Sequence, residues 1–211
     1  DLHCISSAAS DVYKRQHILS DYSAYLDYKY NSNQAKELRS SGFGLVNTHR
    51  ANGIHSGTGI LLALSDTSNE NQRVLSNKSA EFYSFSRNAL SNQSYPTSIM
   101  GSMALIRQFF HDLEWYSENQ ANNKDYAIEA AIENSLLPKI WNSGSNLNFL
   151  RALKISKELD IPFAVVGSGL EYMDINTISK HKNEFIIPVN FPAAYDAVSY
   201  THLTLPTICS V

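Results

Sequence analysis

The last third of the chain alternates helix-forming segments with short, nearly continuous apolar runs, and this pattern constrains the fold most. The helical segments are "NLNFLRALKISKELD" and "DINTISKHK", and the apolar runs of strand length are "IPFAVVG" and "EFIIPVNFP". Strands rich in Val, Ile and Phe that are separated by helices are typical of a parallel sheet buried on both faces. The pattern predicts an α/β fold, either a barrel or an open doubly wound sheet.

The first half of the chain contains further elements. "SNQAKELRSSG" predicts a helix that begins at Ser or Asn and ends at Gly42, and "FGLVN" and "ILLAL" predict buried strands. "RANGIHSGTG" between them is rich in turn residues and predicts a connection. "EFYSFS" alternates with a period of two and predicts a half-buried strand.

The longest predicted helix is "TSIMGSMALIRQFFHDLEWY". Its apolar side chains recur at three- and four-residue steps and indicate a face that packs on the core: Ile99, Met103, Ile106, Phe110 and Leu113. Polar residues predict the helix caps, namely Thr97 or Ser98 here, Asn146 or Asn148 for the next long helix, and Asp174 for the last short one.

The two ends of the chain are complementary when they are back-translated. "SSAASDVYKRQ" near the start and "VSYTHLTLPT" near the end can be encoded by one DNA sequence in opposite orientations, and that sequence resembles a sequencing-library adapter. We therefore expect Asp1–Gln16 and Val198–Val211 to be artefacts that should be excluded from fold arguments. The biological segment is then His17–Ala197; the alternative is a pair of genuine termini.

Composition restricts the classes of function. Both cysteines, Cys4 and Cys209, lie in the suspect ends, so neither a disulfide nor a cysteine metal site has support. The net charge of −3 does not indicate a nucleic-acid surface. No apolar run approaches the roughly 18 residues of a membrane span.

Chemistry in an α/β fold is expected where the strands end. The polar residues at these points define a candidate strand-end pocket: Asn47, Thr48, His49, Arg50, Gly167, Ser168, Glu171 and Asn190. Glu171 is a candidate acid or base, or a carboxylate that caps its own turn. "GSG" at Gly167–Gly169 lacks the third glycine of a dinucleotide fingerprint.

His49 and His55 are the candidate metal ligands within this chain. They are six positions apart in a glycine-rich segment, a spacing that matches no standard ligand pattern. The alternative is two histidines that only form hydrogen bonds. The residues alone complete no catalytic constellation.

Three quoted stretches carry a family resemblance: "GFGLVNTHRANGIHSGTG", "SYPTSIMGSMALIRQ" and "LRALKISKELDIPFAVVGSGLEY". With "FIIPVNFPAAYD" they resemble the amidohydrolase superfamily, and more narrowly the large bacterial imidazolonepropionase-like proteins that carry two amidohydrolase-like halves. The resemblance covers nearly all of Lys29–Asp196.

The resemblance implies a partial (β/α)₈ barrel cut from a metal-dependent hydrolase that acts on amide or cyclic amide C–N bonds. Such barrels need about 250 residues. It further implies a zinc-like divalent ion that activates water, a small-molecule substrate, a second amidohydrolase-like half in the same chain, and a periplasmic or secreted location.

The chain departs from the family where the metal ligands are expected. His17–Ala197 has no H-x-H, and two late strand ends, Val165–Gly167 and Val189–Phe191, contain no histidine. Val and Gly cannot replace imidazole as ligands for zinc-like ions. We therefore expect a half without its own metal site, inactive as an isolated piece.

Two alternatives remain at this point. One is a non-catalytic amidohydrolase-like binding or scaffold domain. The other is an unrelated doubly wound α/β domain.

Overall fold

The structure is a computed structural model that describes residues 17–66, 70–86, 96–119 and 124–188. The two suspect ends and the candidate residue Asn190 lie outside these ranges. The described part contains both helices and strands, in agreement with the predicted α/β class.

The elements follow one another along the chain. The helices are α1 (Ala24–Asp27), α2 (Ser32–Ser40), α3 (Glu70–Arg73), α4 (Ile99–Asn119), α5 (Tyr126–Glu133), α6 (Asn146–Leu159) and α7 (Ile175–Ile178), with a 3₁₀ turn at Glu171–Asp174. The strands are β1 (Leu45–Thr48), β2 (His55–Thr58), β3 (Ile60–Ala63), β4 (Val74–Ser76), β5 (Glu81–Ser84), β6 (Lys139–Asn142), β7 (Phe163–Val166) and β8 (Phe185–Ile186).

The strands form two sheets. β1, β3 and β4 make an antiparallel sheet in the order β1-β3-β4. The second sheet has the order β2-β5-β6-β7-β8, in which β2 is antiparallel to β5 and the other pairs are parallel. The predicted parallel sheet is therefore present in the second half of the chain, whereas "FGLVN" and "ILLAL" belong to the separate antiparallel sheet.

Helix caps explain where the long helices begin. The Ser98 hydroxyl accepts a hydrogen bond from the Gly101 N–H at 3.1 Å, as one of the two predicted caps of α4. The cap of α6 is Ser145, whose hydroxyl accepts from the Asn148 N–H at 3.3 Å, so the prediction of Asn146 or Asn148 was wrong. Asp174 stands at the start of α7, but its side chain does not cap that helix.

Two local predictions were wrong, because contacts with distant parts of the chain determine the structure of both segments. The glycine-rich "RANGIHSGTG" contains β2, which pairs with β5 on one edge and is bridged to His17–Ser23 on the other. "EFYSFS" is buried throughout β5 rather than on one face, because helices cover one side of it and the antiparallel sheet approaches the other.

The main core lies on one face of the parallel sheet. Tyr83, Trp141 and Val165 are in register on neighbouring strands and are all buried against helices α4 and α6. The opposite face carries Ile140, Ala164 and Val166 in the same three-strand region. These side chains are only half-buried, and Ile186 on β8 is exposed. Within the described residues, helices thus cover one face of this sheet.

No helix in the described ranges has both the length and the apolar character that a membrane crossing requires.

Candidate functional site

The most unusual chemical feature is a cluster of ionisable side chains inside the core. His55 begins β2, Glu81 and Tyr83 alternate on β5, and Lys139 begins β6. Ser20 reaches the cluster from the segment that runs beside β2. The side chains of His55 and Glu81 have 0% and 1% of their surface exposed. Ionisable groups are rarely buried this deeply unless they are paired, so the contacts between them decide their charge.

The contacts form a chain across three strands and the preceding segment. The Ser20 hydroxyl is 3.0 Å from His55 Nδ1, and His55 Nε2 is 3.5 Å from Glu81 Oε1. Glu81 Oε2 accepts a hydrogen bond from the Tyr83 hydroxyl at 3.2 Å and lies 3.5 Å from Lys139 Nζ. The His55 ring stacks on the Tyr83 ring with a centroid distance of 4.3 Å. This buried polar chain ties residues 17–23 to the parallel sheet.

Burial sets the protonation of these groups. Burial, together with the Lys139 charge, lowers the pKa of His55 to about 3, so the imidazole is neutral at pH 7. Burial raises the pKa of Glu81, while Lys139 and the Tyr83 hydroxyl oppose that increase. His55 Nε2 and Glu81 Oε1 form no hydrogen bond with any described group, and the Ser20 contact at Nδ1 is compatible with either neutral tautomer of the ring. The pair is therefore a neutral histidine beside a carboxyl group rather than an ion pair.

A Ser–His–Glu chain raises the question of nucleophilic catalysis. Ser20, His55 and Glu81 have at most 1% of their surface exposed. A substrate carbonyl has no route to a hydroxyl that is buried to this extent. The cluster is therefore closed to a substrate in the described part of the chain. Lys139 and Glu81 also begin their strands, at the end of the sheet opposite to the carboxyl ends where chemistry is expected in an α/β fold.

The two candidate metal ligands do not converge. The His49 ring stacks on Phe82 with a centroid distance of 3.8 Å, whereas the His55 ring stacks on Tyr83. Consecutive strand residues point to opposite faces, so the two imidazoles lie on opposite sides of β5. The two imidazoles therefore do not face one another across a common site, and a metal role for either histidine stays a prediction.

The first part of the candidate pocket lies in the antiparallel sheet. Asn47 accepts a hydrogen bond from the Ser79 hydroxyl at 2.8 Å. Thr48, His49 and Arg50 line a cavity of about 310 Å³ between this sheet and the preceding helices. Because β1 is not a strand of the parallel sheet, these residues were not placed by its carboxyl ends as predicted.

The second part of the candidate pocket does come together, after β7. The Glu171 carboxylate accepts hydrogen bonds from the Ser168 N–H, the Ser168 hydroxyl at 3.0 Å and the Gly169 N–H at 2.9 Å. Burial raises the pKa of Glu171, but these hydrogen bonds outweigh burial and hold the pKa below its usual value. Glu171 is thus an ionised carboxylate that closes its own turn, as the second of the two interpretations states.

Gly167 permits this turn. A Cβ atom at that position would lie 2.8 Å from the Glu171 carboxyl carbon and from one of its oxygens. The glycine therefore gives the carboxylate space to fold back over the strand end.

Two further hydrogen bonds near these strand ends were not predicted from the sequence. The Asn146 amide at the start of α6 donates to Asp174 at 2.6 Å, and the Ser143 hydroxyl donates to the Val166 carbonyl at 2.6 Å. These bonds join the loop after β6 to the loop after β7. Across residues 17–66, 70–86, 96–119 and 124–188, no three His, Cys, Asp or Glu side chains gather as a set that could hold a metal ion.

Comparison with known proteins gives a fold. No protein-family model matches the sequence, and no curated protein is significantly similar to it. The crystal structure of an amidohydrolase from Thermotoga maritima MSB8 matches with a TM-score of 0.68 at 14% sequence identity. The match covers 82% of this chain and 49% of that chain, so this chain spans about half the length of that structure. The chain therefore has the fold found in part of an amidohydrolase structure.

Proposed function

We propose that this chain is a segment of an amidohydrolase-type, metal-dependent hydrolase that acts on amide or cyclic amide C–N bonds. In this proposal His17–Ala197 forms part of a (β/α)₈ barrel from a half without its own metal site. A second half of the same protein holds the divalent ion and the small-molecule substrate. The likeness to an amidohydrolase structure supports the proposal at the level of fold.

One observation carries the barrel proposal, namely the arrangement of the parallel sheet. β5, β6, β7 and β8 lie side by side in chain order, and the core helices pack on one face. In (β/α)₈ barrels, consecutive parallel strands are likewise neighbours in chain order, the helices lie outside, and side chains fill the interior. A doubly wound sheet instead reverses its strand order and carries helices on both faces. The half-buried Ile140, Ala164 and Val166 face the side that would be the barrel interior.

The residues at the described strand ends do not fit a zinc-like ion. Ser143 follows β6 and Gly167 follows β7, and neither supplies the imidazole, thiolate or carboxylate that such ions prefer. Glu171, the nearest carboxylate after β7, is occupied by Ser168 and Gly169. These strand ends therefore lack the ligands through which a metal ion could take part in catalysis here. When bound elsewhere in the parent protein, the ion would lower the pKa of a water molecule for attack on the amide carbon, after which the C–N bond breaks and the nitrogen leaves as a protonated amine.

The second candidate function is a non-catalytic binding or scaffold domain. The cavity of about 310 Å³ beside the antiparallel sheet favours this candidate, because it has the size of a small-molecule site and lies away from the parallel strand ends.

Metal content and hydrolysis distinguish the two candidates. We expect the full parent protein to contain stoichiometric divalent metal and to hydrolyse members of an amide and cyclic-amide panel, with activity lost to a chelator and restored by zinc. The 211-residue chain alone should show neither property. A metal-free, inactive parent would favour the scaffold function. Stoichiometric metal and hydrolysis in the isolated chain would contradict the assignment of a metal-free half.

A further inference from the structure

The cavity beside the antiparallel sheet is lined by tyrosine and aliphatic side chains together with polar and charged ones. Tyr22, Tyr28 and Tyr30 line it from the segment around α1, and Val46 and Leu62 line it from β1 and β3. Its volume of about 310 Å³ lies at the lower end of the range for small-molecule sites. A flat apolar group is the kind of ligand that such walls accommodate.

Arg50 is a positively charged residue in the lining of this cavity. Its guanidinium carbon lies 5.1 Å from the centroid of the Tyr22 ring, which is a cation–π contact. In the described part of the chain its N–H groups have no hydrogen-bond acceptor. Arg39 and Arg107 differ, because both donate to carboxylates, Asp66 and Glu158 respectively. Arg50 is thus positioned by a ring while its donors remain available for a carboxylate.

With the other charged residues counted, the lining of the cavity has a net positive charge. The Asp27 carboxylate accepts a hydrogen bond from the Tyr22 hydroxyl at 2.8 Å, and Lys29 also lines the cavity. His49 Nδ1 lies 2.8 Å from the Arg50 carbonyl, which can only accept, so that nitrogen carries the proton. Burial lowers the pKa of His49 and keeps the ring neutral. Two cations and one anion therefore border the cavity.

We propose that this cavity binds a small aromatic carboxylate, with the ring between the tyrosines and the carboxylate on Arg50. This proposal is independent of the hydrolase proposal, since it rests on the antiparallel sheet and the α1 segment. Binding does not require a metal ion or the parallel strand ends.

The test is a titration of the full 211-residue chain with three probes that share one ring: benzoate, benzyl alcohol and benzylamine. Calorimetry at pH 7 should give saturable binding of benzoate, with benzyl alcohol and benzylamine bound about tenfold more weakly or worse, because they lack the charge-assisted bonds. Arg50→Gln should weaken benzoate binding about tenfold or more and leave benzyl alcohol unchanged. Arg151→Gln, on α6 and outside the cavity, is the matched control and should bind benzoate as the native chain does.

Circular dichroism establishes that each variant is folded. If Arg50→Gln does not fold, Arg50→Lys keeps the charge but loses the planar donor pair, and it should bind benzoate severalfold more weakly. Equal binding of the three probes, no saturation by benzoate at millimolar concentration, or unchanged binding in the Arg50 variant would overturn the proposal.

Discussion

Gly57→Ala is expected to reduce the free energy of unfolding by about 4 kcal/mol or more, which is enough to unfold a marginally stable chain. A Cβ atom at this position would lie 2.2 Å from the Tyr22 carbonyl oxygen and 2.6 Å from the Leu19 carbonyl oxygen. Both oxygens belong to the backbone of the segment that runs beside β2, and the Tyr22 oxygen accepts a hydrogen bond from the Thr58 N–H. The clash can be relieved only if that segment separates from the sheet.

Gly144→Ala is the control that distinguishes the steric clash at Gly57 from the strain of a positive φ angle. Gly57 and Gly144 both have positive φ angles, 78° and 66°, but a Cβ atom at Gly144 meets nothing within 4 Å. Gly144→Ala should therefore cost only the left-handed strain of about 1–2 kcal/mol. Urea unfolding followed by circular dichroism measures both losses. Equal losses in the two variants would contradict the close packing of residues 17–23 on β2.

Acidification from pH 7 to pH 5 should weaken the native fold through His55 by about 2 kcal/mol. The folded-state pKa of about 3 lies below the ordinary value of 6.5, so the unfolded chain takes up the proton first. The loss begins as the pH falls below about 6.5 and continues towards pH 3. Glu81 has the opposite sign, because its raised pKa favours the folded state at acidic pH.

His55→Gln isolates this contribution. Urea unfolding at pH 7, 6 and 5 should show a smaller acid-induced loss in the variant, whatever its stability at pH 7. His111→Gln is the control, because the His111 side chain is 67% exposed on α4 and should keep the native pH dependence. An unchanged pH dependence in His55→Gln would mean that the buried histidine does not titrate as its surroundings require.

The parallel part of the fold was predictable because its signals are local. Continuous apolar runs such as Phe163–Val166 indicate strands buried on one or both faces, and helix formers such as those of Asn146–Leu159 indicate the crossovers. Sequence could not separate β1 and β3 from the parallel sheet, because short apolar runs do not encode their partners. The strand His55–Thr58 was missed because its glycine-rich sequence is typical of a turn, whereas pairing with β5 makes it a strand.

The site was predictable only where it is local in sequence. Gly167, Ser168 and Glu171 lie within five positions and meet in one turn. The buried cluster joins Ser20, His55, Glu81 and Lys139 from four separate segments, and no spacing reveals such a set. One signal was present, since Glu81 shares its strand parity with Tyr83 and Phe85 and so had to face the core with them.

The match to an amidohydrolase structure agrees with the sequence resemblance at the level of fold alone, and the activity remains a proposal. If the parallel sheet is part of a barrel, its half-buried face and the outer edge of β8 need further strands to cover them. An isolated piece should then be poorly stable.

The most direct test of the barrel-segment account is a continuous, adapter-free sequence of the source DNA across this region. The account predicts that the reading frame continues through the codons of His17 and Ala197, with further β/α units and His or Asp metal ligands encoded in the flanks. A reading frame that instead encodes the same two terminal peptides would contradict it, and the chain would then be a small α/β protein with an amidohydrolase-like fold.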